Sequence, residues 1–336
     1  MARIGFLVPF GGRMKYFVRI LFALFLSQVF LSNAQDSNYP SRPITWIIPM
    51  GAGGTSDVFA RTLQPFMTKL LGQPMIIDNR PGANGVLGEE LVMHAKPDGY
   101  TLVFSSASVA ANPYLRKINY DPRKFVPVIH LGNVYIIMLA NNDLKANSLK
   151  EFVAMARSNP PEAFNYSSWG IGGMGHLAGE LFNLEAKIKL FHIPYKTSPD
   201  ALTAAASGQT QISYITTSLA IPQIKGSRVK ALAVIAPNRL ADAPEIPTMA
   251  ELGYPGMKVD TWFGVFLPPS APKVYVDRLN AAFQAALKDP ETLAKLEKQG
   301  IYPKGGSPED FAEYFSSEQR KFERIVRESK IEQGSN

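Results

Sequence analysis

Two periodicities alternate along this chain. Short runs of consecutive apolar, often β-branched residues give way to longer stretches with apolar residues three and four apart, and Gly- or Pro-rich segments separate them. The first pair is the clearest. Ile44-Thr45-Trp46-Ile47-Ile48 reads as a buried strand, ended by Pro49. From Thr55 onward, Val58/Phe59, Thr62/Leu63, Phe66/Met67 and Leu70/Leu71 fall on one face of a helix. Between them stands Gly51-Ala52-Gly53-Gly54, whose backbone can take positive φ and approach a ligand closely. Thr55 and Ser56 suit an N-cap, and Asp57 suits a first helical turn. Such a unit points free N–H groups and a positive dipole end at one spot, which favours an anion.

The alternation continues. Strands are predicted at Gln73 to Asp78, Thr101 to Phe104, Val128 to Leu131, Tyr135 to Ala140, Phe164 to Ser167, Phe191 to Ile193, Gln211 to Ile215, Val229 to Ile235 and Thr261 to Leu267. Helices are predicted at Val86 to Ala95, Leu149 to Ser158 (capped by Ser148), Pro199 to Ser207, Pro272 to Leu287, Pro290 to Lys298 and Pro308 to Glu328. Ser168-Trp169-Gly170-Ile171-Gly172-Gly173-Met174-Gly175-His176 leads into a helix with Leu177, Leu181, Phe182 and Leu184 on its apolar side. It is a second strand, glycine loop and helix, about 120 residues after the first. Strands alternating with helices imply a mostly parallel sheet, with ligands at the carboxyl ends of its strands. The first glycine loop and Ser105-Ser106 lie at such ends.

Composition narrows the setting. The chain has 336 residues, long enough for two cores, and carries +7. Residues 1–34 hold Arg3, Arg13, Lys15 and Arg19 without an acid, which leaves only +3 for the remainder and no basic run for nucleic acid. A basic n-region at 14–19 (Lys15 and Arg19), the apolar stretch Ile20 to Phe30 and the small-x-small site Ser32-Asn33-Ala34 read as a signal peptide over 1–34, cleaved near Ala34, with Met14 an alternative start. The protein is therefore expected in the periplasm. The absence of cysteine excludes a disulfide scaffold, a thiol nucleophile and a zinc-thiolate site.

Three readings are open for the first loop: a plain βα turn, a dinucleotide fingerprint, or a small-carboxylate site. Against the second, Ser56 stands where the third Gly or Ala belongs, although Asp78 is suitably spaced for a ribose. Two glycine loops facing one another across a cleft favour the third. Neither contains Arg or Lys, so an anion would be met by backbone N–H groups, hydroxyls and helix dipoles. Asp57 suits a cap better than a direct contact, because a bare carboxylate repels an anion. His176 suits a ligand contact or a loop cap; His94, His130 and His192 read as structural. Trp262 reads as core or hinge packing and Trp169 as a cleft wall. No HExxH, paired-His or G-x-S-x-G pattern points to a metal or to Ser-His catalysis.

Several stretches taken together resemble a known family: YPSRPITWIIPMGAGGTSDVFAR, LGQPMIIDNRPGANGVLGEE, KPDGYTL, NYSSWGIGGMGHLAGELF, HIPYK, IPQIKGSRVKALAV, EIPTMAELGYPG and TWFGVFLPPSAPKVYVDRLN. They are similar, in order and spacing, to the receptors of tripartite tricarboxylate transporters, the Bug family. The resemblance implies a type II periplasmic binding protein: α/β, with two Rossmann-like lobes around a cleft joined by two crossing strands. Lobe 1 would comprise residues 35–133 and 259–336 and lobe 2 residues 134–258, with crossings near Asn133–Leu139 and Val259–Val265. It implies a non-catalytic monomeric receptor without cofactor or metal, which binds a di- or tricarboxylate or aromatic acid and passes it to membrane transporter subunits. Sensing for a membrane signalling partner, or an exported enzyme on the same fold, are the alternatives. Contacts carried over by position are Ala52, Gly53, Gly54, Thr55, Asp57, Ser105, Ser106, Ser168, Gly172, Gly173, His176 and Thr216. Met50, Ala52, Thr197 and Gln211 depart from common family residues. Thr216-Thr217 stands where a carboxylate or amide is frequent, which disfavours a ligand amine.

Overall fold

The computed structural model describes Ala2, residues 39–259 and residues 261–329. The export signal read over residues 1–34 lies outside the described residues, Ala2 apart. From Arg42 onward the chain builds two sheets. The first has the order β11-β4-β10-β3-β1-β2, where β1 is Ile44–Ile48, β2 Met75–Asn79, β3 Thr101–Ser106, β4 Val126–Val134, β10 Thr261–Leu267 and β11 Tyr302–Pro303. The second has the order β7-β6-β8-β5-β9, where β5 is Ile136–Ala140, β6 Asn165–Ser168, β7 Phe191–Pro194, β8 Ile212–Thr216 and β9 Lys230–Ile235. Strands β1, β2 and β3 pair in parallel, as do β6, β7 and β8; β10 and β5 run antiparallel to their neighbours. Only Tyr135 separates β4 from β5, so the chain leaves one sheet and enters the other within a single residue.

Continuous apolar runs make the central strands buried on both faces, as parallel sheets require. In the first sheet Trp46 and Phe104 point to one side, where Phe59 of α1 (Thr55–Leu71) and Phe283 of α8 (Lys273–Lys288) pack on them. Ile47 and Val103 point to the other, beneath α2 (Val86–Met93) and α3 (Ser108–Leu115). After α9 (Pro290–Lys298), α10 (Pro308–Ser329) returns to that side, where Trp262 Nε1 donates to Glu318 Oε2 at 3.1 Å. In the second sheet Tyr166 and Tyr214 pack with Phe182 of α5 (Met174–Ala186) and Phe152 of α4 (Leu149–Arg157). Ile137 and Ile215 face α6 (Ser198–Ala206) and α7 (Thr217–Lys225).

Two of these helices were not anticipated. Both α3 and α7 start directly after a cleft-facing strand, are short, and carry a proline at their sixth residue, Pro113 and Pro222. Proline in a short segment reads as a breaker; packing on the strand end they follow overrides that preference. Among the described residues no helix is long and apolar enough to cross a membrane.

Candidate functional site

The two glycine loops repeat one backbone design. In the first, Gly53 has φ 77°, and its N–H donates to Asp57 Oδ2 at 2.9 Å. Gly54 N–H donates to Gly51 O at 3.3 Å, and Val58 N–H to Gly54 O at 3.0 Å. In the second, Gly172 has φ 75°, and its N–H donates to His176 Nδ1 at 3.1 Å. Gly173 N–H donates to Gly170 O at 3.2 Å, and Leu177 N–H to Gly173 O at 3.0 Å. Both segments read G-x-G-G-x-x-anchor: a glycine in the left-handed region, a glycine N-cap, and a side chain four residues on that holds the loop. Adding Cβ at Gly53 or Gly172 would force an L-residue into a conformation it rarely adopts.

The helices differ in how their first turns are capped. Helices α4, α6 and α9 are capped by Ser148, Thr197 and Asp289, each side chain accepting a first-turn N–H. Helices α1, α5 and α7 begin at Gly54, Gly173 and Thr216 without a side-chain cap. In α1 the first N–H to bond back is that of Val58, so those of Thr55, Ser56 and Asp57 have no intrahelical acceptor. These N-termini, like those of α2, α3 and α8, which also lack a side-chain cap, keep first-turn donors and positive dipole ends.

Several side chains among the expected contacts have protein partners that hold the framework. Asp57 is buried; Arg61 Nε donates to its Oδ2 at 2.9 Å and Asn79 Nδ2 to its Oδ1 at 3.0 Å. Burial raises its pKa, but the bonds from Arg61, Gly53 and Asn79 outweigh this and hold it below the usual carboxylate value. His176 is buried and stacks on His192 with ring centres 4.2 Å apart, and His192 stacks on Tyr166 at 4.8 Å. Burial lowers His176 to about 4; burial and the neighbouring His176 lower His192 to about 3. Both rings are neutral at pH 7. The Gly172 bond leaves Nδ1 of His176 as acceptor and its proton on Nε2. Ser168 Oγ lies 2.8 Å from His192 Nε2, so that histidine supports the site as well as the core. Trp169 packs on Gly173 and Gly175 of its own loop.

At the other strand ends, Ser105 Oγ donates to Glu89 Oε1 at 2.5 Å, Ser106 Oγ lies 2.8 Å from Ser108 Oγ, and Thr216 Oγ1 lies 3.3 Å from Ser218 Oγ. Ser218 is also 3.4 Å from Thr55 Oγ1, joining the first loop to the second sheet's half. Thus Ala52, Gly53, Gly54, Thr55, Ser106, Gly172, Gly173 and Thr216 lie at strand ends or helix starts, with the N–H groups of Gly53, Gly54, Gly172 and Gly173 bonded within their own loops. Asp57, Ser105, Ser168 and His176 engage partners behind that surface.

Sequence reasoning missed Glu89. It is wholly buried in α2, accepts from Ser105 and Tyr120, and is raised by burial to about 7 against the lowering effect of those bonds. A carboxylate within the apolar run Val86-Leu87-Gly88-Glu89-Glu90-Leu91-Val92 was the available signal. Among the described residues no group of three or more His, Cys, Asp or Glu could hold a metal ion.

Two α/β sheets joined at one crossing through the single residue Tyr135, with the starts of α1 and α7 meeting at Thr55 and Ser218, have a layout suited to holding a ligand between them. The chain belongs to the tripartite tricarboxylate transporter receptor family, whose sequence model matches residues 59–331. It is 32% identical over 296 residues to BugT of Bordetella pertussis, covering 87% of this chain and 90% of that one. The structure of the periplasmic binding protein BugD superposes with a TM-score of 0.79 at 30% identity, over 88% of this chain and 99% of that one. Rpa4515 of R. palustris with adipate gives 0.81 at 29% identity, over 88% and 99%. MatC (Rpa3494) of Rhodopseudomonas palustris with bound malate gives 0.76 at 31% identity, over 86% and 100%. The family is one of solute receptors, not of enzymes.

Proposed function

We propose that this protein is a periplasmic receptor that captures a small carboxylate between two lobes and delivers it to a membrane transporter. The observation that carries the reading is the pair of G-x-G-G loops, each opening a helix that lacks a side-chain cap. First-turn N–H groups of α1 and α5 grip one carboxylate, and the hydroxyls of Ser106, Thr216 and Ser218 orient the rest of the ligand. The lobes divide between β4 and β5, and Tyr135 serves as hinge. That relatives hold adipate and malate supports a dicarboxylate. A hydrogen bond to a charged group contributes roughly 1.5–3 kcal/mol. Four or five of them offset the ordering costs and leave about −8 kcal/mol, near micromolar affinity, without a cationic side chain.

The test is native mass spectrometry of protein purified without refolding, followed by thermal-shift measurements with malate, adipate, tricarboxylates, aromatic acids and amino acids. The expected result is 1:1 binding and a raised Tm with one acid class, about 2.7 kcal/mol of stabilisation at a hundredfold excess over Kd. Amino acids are expected to bind more weakly than the matching acids without an amine. A protein that retains no acid and responds to none would overturn the reading.

A further inference from the structure

The second glycine loop is held from two sides, and only one of them is its own half of the molecule. Gly172 N–H is anchored to His176, while Gly172 O accepts from Asn84 Nδ2 at 3.4 Å and Ile171 O from Arg116 Nη2 at 3.3 Å. Asn84 and Arg116 both belong to the first sheet's half. Two consecutive carbonyls of one loop therefore meet two donors from across the cleft.

These donors are prepared for the task. Asn84 sits at φ 55°, ψ 39°, a left-handed conformation that asparagine tolerates better than most residues. It is fixed there by Asn112: Asn84 Nδ2 donates to Asn112 Oδ1 at 3.2 Å, and Asn112 Nδ2 donates to Asn84 O at 3.1 Å. Arg116 ends α3, one turn after Asn112. Its Nη2 and Leu115 Cδ1 would lie 3.0 and 3.2 Å from a Cβ at Gly172, so only glycine lets the loop seat this closely. Arg116 is half-buried: its Nε is buried without a hydrogen-bond partner, while its Nη2 reaches Ile171 O at the surface.

We propose that Asn84 and Arg116 are positioning residues: a latch that grips the carbonyls of Ile171 and Gly172 and sets how long a captured ligand is retained. The inference rests on the receptor reading above. It adds a division of labour within one segment, with the helix start serving the ligand and the loop carbonyls serving closure.

The chain has no cysteine, so Lys69→Cys in α1 and Lys150→Cys in α4 give two unique exposed labelling sites, one on each half. Electron–electron distance measurements on this pair, with and without adipate or malate, report the closed population; stopped-flow binding of the same acids gives both rates. Asn84→Asp keeps the shape and loses the donor, and Arg116→Gln shortens and neutralises the reach. Each is expected to reduce the closed population and to raise the dissociation rate roughly tenfold, with the association rate changed less than about twofold. Arg116→Lys recovers part of the loss, and ligand-free thermal stability stays within a few degrees. If Asn84→Asp does not fold, Asn84→Gly keeps the left-handed backbone without the side chain. Variants that close and release as the native protein does overturn the latch, as does a native protein with no closed population under any condition. If neither acid binds but the native closed population is lost in the variants, the latch stands and the dicarboxylate reading falls.

Discussion

Gly51–Asp57 and Gly170–His176 share glycines at the first, third and fourth positions and the same hydrogen bonds, yet they end in different anchors. Asp57 is a charged carboxylate that needs Arg61 and Asn79 to be tolerable where it is buried. His176 is a neutral ring held by stacking on His192. The difference lies in what each anchor does to the proposed anion site. An Asp57 charge near a helix N-terminus offsets part of the potential offered to a ligand, and Arg61, on the next turn, restores it. His176 adds no charge and needs no counter-ion. Their surroundings differ too: Gly51 to Gly54 are exposed, whereas Gly172 and Gly173 are buried against Leu115, Arg116 and Trp169. One loop is an open shelf fixed by an ion pair, the other an enclosed wall fixed by aromatic packing.

The sharpest way to break this pairing is an alanine in each loop. Gly172→Ala meets both the left-handed backbone and the Arg116 and Leu115 side chains, and is expected to lose about 3 kcal/mol of ligand affinity, roughly 100-fold. Gly53→Ala meets the same φ with nothing within 4 Å, and is expected to lose only about 1 kcal/mol. Isothermal titration with the best acid from the thermal screen measures both. Equal losses would mean that the two loops are not differently enclosed.

The anchors come next. His176→Ala leaves the Gly172 N–H without its acceptor and a hole beside His192, at an expected cost of about 2 kcal/mol in urea unfolding. Asp57→Asn keeps an acceptor for Gly53 and loses the charge facing the exposed Arg61, at about 1 kcal/mol. A larger loss for Asp57→Asn would reverse the argument that the ion pair is the weaker of the two fixings.

The parts of this design differ in how far they could be read from the chain. Strand-loop-helix order followed from apolar runs, N-cap residues and glycines, because those signals are local. The paired loops were visible as repeated glycines. That Asp57 and His176 occupy the same place was not drawn out, because an Asp and a His share no chemistry until both are seen accepting a glycine N–H four residues back. Helices α3 and α7 were hidden by Pro113 and Pro222. Glu89, Asn84 and Arg116 act through partners 16, 88 and 55 residues away, and no local pattern carries such distances.

Acid separates the two anchors by titration. His176 has its folded pKa lowered to about 4 from 6.5, so its contribution to stability is present above pH 6.5 and is lost as pH falls towards 4. Protonation places a hydrogen on Nδ1, where the Gly172 N–H now points. Asp57, with its pKa also lowered, keeps its anchor until pH falls below the ordinary carboxylate range. Lowering pH from 7 to 5 is therefore expected to cost about 2 kcal/mol of stability through His176, read by urea unfolding at each pH. In His176→Gln that part of the pH dependence disappears. Persistence of the full dependence in this variant would assign it elsewhere.

The smallest expected effect concerns the carboxylate under the first half's shelf. Glu89 has its folded pKa raised to about 7 from 4.5, so the stability associated with its protonated form is complete below pH 4.5 and declines as pH rises through 7. This runs opposite to His176 within one pH window, so native unfolding curves alone mix the two. Glu89→Gln separates them by removing the charge that burial penalises while keeping the side chain's shape. Ser105 and Tyr120 both donate to the carboxylate, and one of those bonds weakens against an amide. The net expectation is a gain of about 0.5–1 kcal/mol at pH 8 and none at pH 4, from urea unfolding at each pH. A loss at pH 8 would mean that the charged form is stabilised by its donors more than burial opposes it. Glu89 would then be an ionised brace beneath Ser105, and the first half of the site, like its Asp57 anchor, would be held by charge throughout.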